Sequence, residues 1–125
     1  MVGNEECPWT MILYYEKLLL TDKTKKNIDK LKESIENAEG LILTGTYVLE
    51  LAANEKDVFD LIPIQMFKFR AFRKRDHLII GFAESKRACY SLVEEIISEH
   101  YKVTGRYDSL RSDLERIIRG FELSE

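Results

Sequence analysis

The apolar positions divide the chain into short patterned segments. Trp9 to Leu20 is densely apolar, and Met11, Tyr14, Tyr15, Leu18 and Leu19 recur at helical spacing, which favours a short helix over the strand that the same density allows. Thr21 or Asp22 can cap a following helix, in which Ile28, Leu31, Ile35 and Ala38 form a narrow stripe among lysines and acids. Such a stripe predicts a surface helix, and Gly40 ends it where a positive φ is needed. LILTGTYVLELAAN, 41–54, is rich in β-branched and aromatic residues between turn formers and reads as a strand. Within it Gly45 marks a bulge, or else a hairpin turns at Thr44 to Thr46.

Asn54 then caps a predicted helix, DVFDLIPIQMFKFRAFRKR at 57–75, with Asp57 favourably placed near its N-terminus. Pro63 removes a hydrogen bond and disfavours helical geometry at Ile62, so this helix kinks or divides in two. HLIIGFA, 77–83, is a continuous apolar run, as expected of a strand covered on both faces. Ser85 caps the next helix; Cys89, Leu92, Val93, Ile96 and Ile97 mark its inner face and Gly105 its stop. Asp108 or Ser109 opens a last helix with Leu110, Leu114, Ile117 and Ile118 on one side. Residues 1–8 read as a loose terminus before a single domain.

The resulting order, α-α-β-α-β-α-α, predicts an α/β fold with a small, mainly parallel sheet and right-handed crossovers. Two strands leave both edges exposed, so either segment 9–20 or a second copy of the chain must extend the sheet, and the second option makes the protein a homodimer. The first strand, carrying Glu50, is the expected edge.

Composition narrows the function classes. A chain of 125 residues, 45% apolar, can bury one core without staples. The charged third of the residues nearly cancels to a net −3, which favours neither disorder nor general polyanion binding. Apolar runs are too short to cross a bilayer, and MVGNEECPW has glutamates where a secretory signal needs basic residues, so the cytoplasm is the expected location. Cys7 and Cys89 form no CxxC or zinc-ligand spacing and suit a reducing compartment.

Among candidate sites the basic stretch is the most conspicuous. In a helix, Phe69, Phe72 and Met66 fall near one face with Ile62, which makes the phenylalanines core candidates and leaves Lys68, Arg70, Arg73, Lys74 and Arg75 around the rest. The cations crowd the last two turns, where each is favoured by about 0.3–1 kcal/mol. A solvated helix end accounts for them; an acidic partner ranks second, and nucleic acid, which wants exposed aromatics beside contiguous basic side chains, third.

In a parallel sheet AANEKD, 52–57, and FAESKR, 82–87, share one edge, so Asn54, Ser85 and Lys86, with Glu50, become candidates for an anion or small-molecule crevice at two helix N-termini. The plainer reading is that Asn54 and Ser85 only cap helices. Neither loop is a GxGxxG or GxxxxGKS/T motif. Glu50 either faces solvent on an edge strand or is an inward carboxylate with a shifted pKa. Cys89 reads as core packing, and Glu95 stands where a phosphatase-like loop would need arginine. His77 and His100 lack neighbours at metal-ligand spacing, and no GxSxG, HExxH or catalytic-cysteine signature is present, so no metal, cofactor or catalytic residue is nominated.

YYEKL at 14–18, YVLELAANEKDVFDLIP at 47–63 and LIIGFAESKRACYSLVEEI at 78–96 together resemble a group of small uncharacterised bacterial α/β proteins. The resemblance spans Tyr14 to Gly105 and implies a strand, an asparagine turn, a helix with a Leu/Ile core, and a second strand running into a helix; the helix from Asp108 matches less well. It implies no activity. The sequence therefore points to a non-enzymatic interaction or regulatory protein. Its rival is a small-molecule or anion-binding enzyme at Asn54, Ser85 and Lys86 with Glu50 or Cys89 as the reactive group, and nucleic-acid binding comes third.

Overall fold

The computed structural model describes residues 12–37, 45–52, 54 and 57–119. The loose terminus predicted at 1–8, the cap at Gly40 and the strand residues 41–44 lie outside that set. The elements are β1 (Ile12–Leu20), α1 (Asp22–Lys25), α2 (Ile28–Asn37), β2 (Tyr47–Leu51), β3 (Phe59–Pro63), a 3-10 helix (Ile64–Lys68), α3 (Arg70–Arg73), β4 (His77–Ala83), α4 (Lys86–Thr104) and α5 (Leu110–Arg119). The α/β class holds, but the sheet is mixed: its order is β1-β4-β2-β3, β1 and β4 are parallel, and β2 runs antiparallel to both of its neighbours.

Two departures from the expected order explain the difference. Segment 12–20 is a strand, because both of its faces are covered. Leu13, Tyr15 and Leu19 pack towards α4 and α5, while Ile12, Tyr14, Leu18 and Leu20 pack towards α2. When seven of nine positions are apolar, helical spacing is satisfied by accident and the period carries little information. Residues 59–63 form β3 rather than a helix, paired with β2 from Tyr47↔Pro63 to Leu51↔Phe59. Pro63, which breaks helices, is tolerated at the end of an edge strand. Asn54 accordingly closes a hairpin turn, its Oδ1 accepting the Asp57 N–H at 3.0 Å.

Helices cover both faces of the sheet. On one, Leu49, Leu51, Leu78 and Ile80 meet Cys89, Leu92 and Ile96 of α4 and Leu110, Leu114 and Ile118 of α5. On the other, Val48, Ile62, Ile79 and Phe82 meet Leu31 and Ile35 of α2, with Ile64 and Phe67 from the 3-10 helix. Of the two phenylalanines expected in the core, Phe72 packs partly buried against it but Phe69 is exposed, as is Met66. The strand and 3-10 helix change the phase of the segment and bury Ile64 and Phe67 instead.

The C-terminal half follows the sequence closely. Ser85 Oγ accepts the Ala88 N–H at 3.1 Å, and Gly105 ends α4 at φ +73°, a left-handed conformation that glycine adopts without strain. Gly81 lets β1 and β4 approach, since a Cβ there would stand 2.5 Å from the Leu19 carbonyl oxygen. The sheet edges are β1, whose register is irregular between Tyr14 and Leu19 around exposed Glu16 and Lys17, and β3, which ends in Pro63. Irregular register, charge and proline discourage edge pairing. The chain supplies four strands itself, which removes the argument for a dimer built on a two-stranded sheet. Among the described residues, no helix is long and apolar enough to cross a membrane.

Candidate functional site

The crevice anticipated at Asn54, Ser85 and Lys86 is not formed. Because β2 and β4 are antiparallel, with Tyr47 opposite Ala83 and Glu50 opposite Ile79, the loops following them leave opposite ends of the sheet. Ser85 is occupied as the cap of α4, Lys86 is exposed beside it, and Asn54 lies in the β2–β3 turn. Of the basic stretch, Lys68 and Lys74 are exposed and Arg75 is partly buried; the side chains of Arg70 and Arg73 lie outside the described ones.

Glu50 is the main correction. It sits on a central strand and is completely buried, not on a solvated edge. Its Oε2 accepts from Arg75 Nη2 at 3.1 Å, and its Oε1 lies 2.9 Å from His77 Nδ1. His77 Nε2 is 2.8 Å from the Phe72 carbonyl, which can only accept, so Nε2 donates there while Nδ1 meets Glu50. Phe67 and Phe72 pack against the imidazole at ring distances of 4.8 Å, and the Arg75 guanidinium lies 4.7 Å over Phe72. The cluster ties β2, β4 and α3 together. Glu50 and His77 are sealed from solvent with every side-chain polar atom partnered, and only Arg75 reaches the surface, so the cluster has the character of a structural clamp rather than of a proton-transfer site.

A wider cleft lies elsewhere, between β1, α4 and α5. Its volume is about 470 Å³, and its apolar wall includes Tyr15, Leu19, Ile96, Val103, Leu114 and Ile117. Half of its lining residues are polar: Lys17, Glu95 and Glu99 stand around it with Thr104 and a paired His100 and Asp113. Burial, with Glu99 and Glu16 nearby, pushes the Tyr15 hydroxyl above its ordinary pKa. His100 Nε2 lies 2.8 Å from Asp113 Oδ2, which also accepts from Ser109 Oγ at 3.0 Å. The His100 bond holds the Asp113 carboxyl below its usual range, so the carboxylate accepts and Nε2 donates.

Serine, aspartate and histidine here do not make a nucleophilic relay. Ser109 donates to Asp113 and not to the imidazole, whereas nucleophile activation needs the histidine between the other two. His100 Nδ1 is itself buried without a hydrogen-bond partner among the described residues. Burial pushes the Cys89 thiol up to about 12, with Glu84 adding to the effect, so it is no thiolate nucleophile. No group of three His, Cys, Asp or Glu among the described residues could hold a metal.

Sequence reasoning missed the Glu50–His77–Arg75 cluster, the His100–Asp113 pair and the cleft beside it. The first had a signal: Glu50 and His77 each interrupt or open an otherwise apolar strand. The second had none, because His100 and Asp113 meet only through the packing of α5 against α4. Comparisons of the chain with protein-family models, curated proteins and solved structures found no match.

Proposed function

We propose that the protein is a non-enzymatic binding protein that takes a small, mainly apolar molecule in the cleft between β1, α4 and α5, in keeping with a regulatory role. The observation that carries this reading is the cleft itself. Its volume of about 470 Å³ falls within the roughly 300–1,000 Å³ of small-molecule sites, and most of the surface it exposes is apolar, as is usual for them, with polar groups around it. A role without chemistry is supported by the state of the titratable groups: His100 and Asp113 are committed to each other, Glu50 and His77 are sealed in the core, and Cys89 is held as a thiol.

Ile117 lines the cleft but is only partly buried, so Ile117→Trp fills the space without disrupting the buried side of α5. By fluorescence titration, 2-naphthol is expected to bind the wild-type protein saturably and the filled variant about tenfold or more weakly. Equal binding to both proteins, or none to the wild type, contradicts the reading.

A further inference from the structure

A second hollow lies where β2 runs out towards Asn54. It measures about 270 Å³, is floored by Leu51, Ala52 and Leu78, and is walled by Arg75, Arg111 and Arg119. The arginines come from the approach to β4 and from both ends of α5, so the tertiary fold alone brings them together.

Each guanidinium retains hydrogen-bonding capacity. Arg75 gives Nη2 to Glu50, which also faces His77. Arg111 gives Nη1 to the neutral Asp57 carbonyl at 2.9 Å and has no carboxylate partner among the described residues. Arg119 gives Nε to Glu115 at 3.1 Å, while Asp76 stands 3.7 Å from its Nη2, beyond a hydrogen bond. With five N–H donors per guanidinium, most of the donors in this wall are uncommitted. Asp76 and Glu115 complete the lining and Glu50 pairs with Arg75 behind it, so three guanidinium groups stand against three carboxylates, and Arg111 is the one whose only described partner is a neutral carbonyl.

We propose that this hollow binds a compact dicarboxylate, its carboxylates forked by the arginines and its short carbon chain lying on Leu51, Ala52 and Leu78. Planar guanidinium and carboxylate groups match in two parallel hydrogen bonds, a geometry that lysine does not offer. The apolar floor favours a carbon skeleton over bare phosphate, to which it gives nothing. The volume is that of about nine water molecules in the liquid, room for a short-chain dianion but below the usual range for drug-sized ligands.

Titration calorimetry on the full chain, with succinate, butyrate and inorganic phosphate at matched ionic strength, tests the proposal. Succinate is expected to bind one-to-one with a dissociation constant of about 1 mM or tighter, and about tenfold or more tightly than either other anion. Arg111→Gln and Arg111→Lys should each weaken succinate about tenfold, since both lose the fork, while Lys74→Gln, at an exposed lysine outside the hollow, leaves it unchanged. Thermal unfolding of each variant shows that it is folded, and Arg119→Gln serves as the second probe should Arg111→Gln fail to fold. Absence of saturable succinate binding overturns the proposal. So does phosphate binding as tightly as succinate, which would make the site a general oxyanion pocket, or an equal loss in Lys74→Gln, which would make the effect diffuse surface charge. The proposal is independent of the apolar cleft, and neither outcome depends on what 2-naphthol does.

Discussion

Glu50 holds a different partner on each carboxylate oxygen, Arg75 on one and His77 on the other, so removing it strands the buried His77 Nδ1 and leaves the partly exposed Arg75 without its carboxylate. Breaking a buried pair by deleting one partner costs about 3–5 kcal/mol, whereas replacing the whole set by apolar residues is often close to neutral. Glu50→Leu should therefore lose about 3–5 kcal/mol in urea unfolding, and adding His77→Leu should recover part of that loss. A loss under about 1 kcal/mol for the single variant would reduce the cluster to the level of a surface ion pair. What the sequence made legible was an acidic residue inside an apolar strand. Whether it faces water depends on which strand is central, and that is decided by the insertion of β4 between β1 and β2, far away along the chain. The packing of Cys89, by contrast, was legible from its spacing with Leu92 and Ile96 within one helix.

At the scale of elements, local signals succeeded where one face of a helix is apolar and the ends are punctuated. Helices α4 and α5 have their predicted inner faces, and the Ser85 cap and Gly105 stop lie where the sequence puts them. Reading failed for β1 and β3: the first is apolar on both faces, and the second carries a proline that is read most readily as a helix kink. The close approach of β1 to β4 depends on Gly81. Gly81→Ala should displace β1, cost about 1–3 kcal/mol in urea unfolding, and weaken binding in the cleft that Tyr15 and Leu19 help to form. Unchanged stability would mean that the strand gives way without cost.

The join between α4 and α5 has a pH signature. The folded Asp113 carboxyl is held below its ordinary value by the bond from His100, so its contribution is present above the unfolded value near about pH 4 and is lost as pH falls through the lower, folded one. The stability gap between wild type and Asp113→Asn, measured by urea unfolding, should therefore be full near about pH 7 and narrow towards about pH 2. A gap independent of pH would show that the carboxylate charge contributes nothing to the join.

Across the whole molecule, one mixed sheet lies between two helical layers, and the functional possibilities follow from where those layers leave gaps. The sequence offered a crevice shared by two strand-to-helix loops because it assumed parallel strands; the β2–β3 hairpin turned β2 around and sent the loops to opposite ends. The cleft between β1, α4 and α5 was not legible, since its walls come from the two ends of the described chain. Binding in this cleft is tested by a methyl NMR titration of the isotope-labelled protein with 2-naphthol. Saturable shifts are expected at the methyl groups of Leu19, Ile96, Val103, Leu114 and Ile117, with the Val48, Ile62 and Ile79 methyls on the opposite face of the sheet unmoved. Shifts spread evenly over both faces, or none in the cleft, would contradict it.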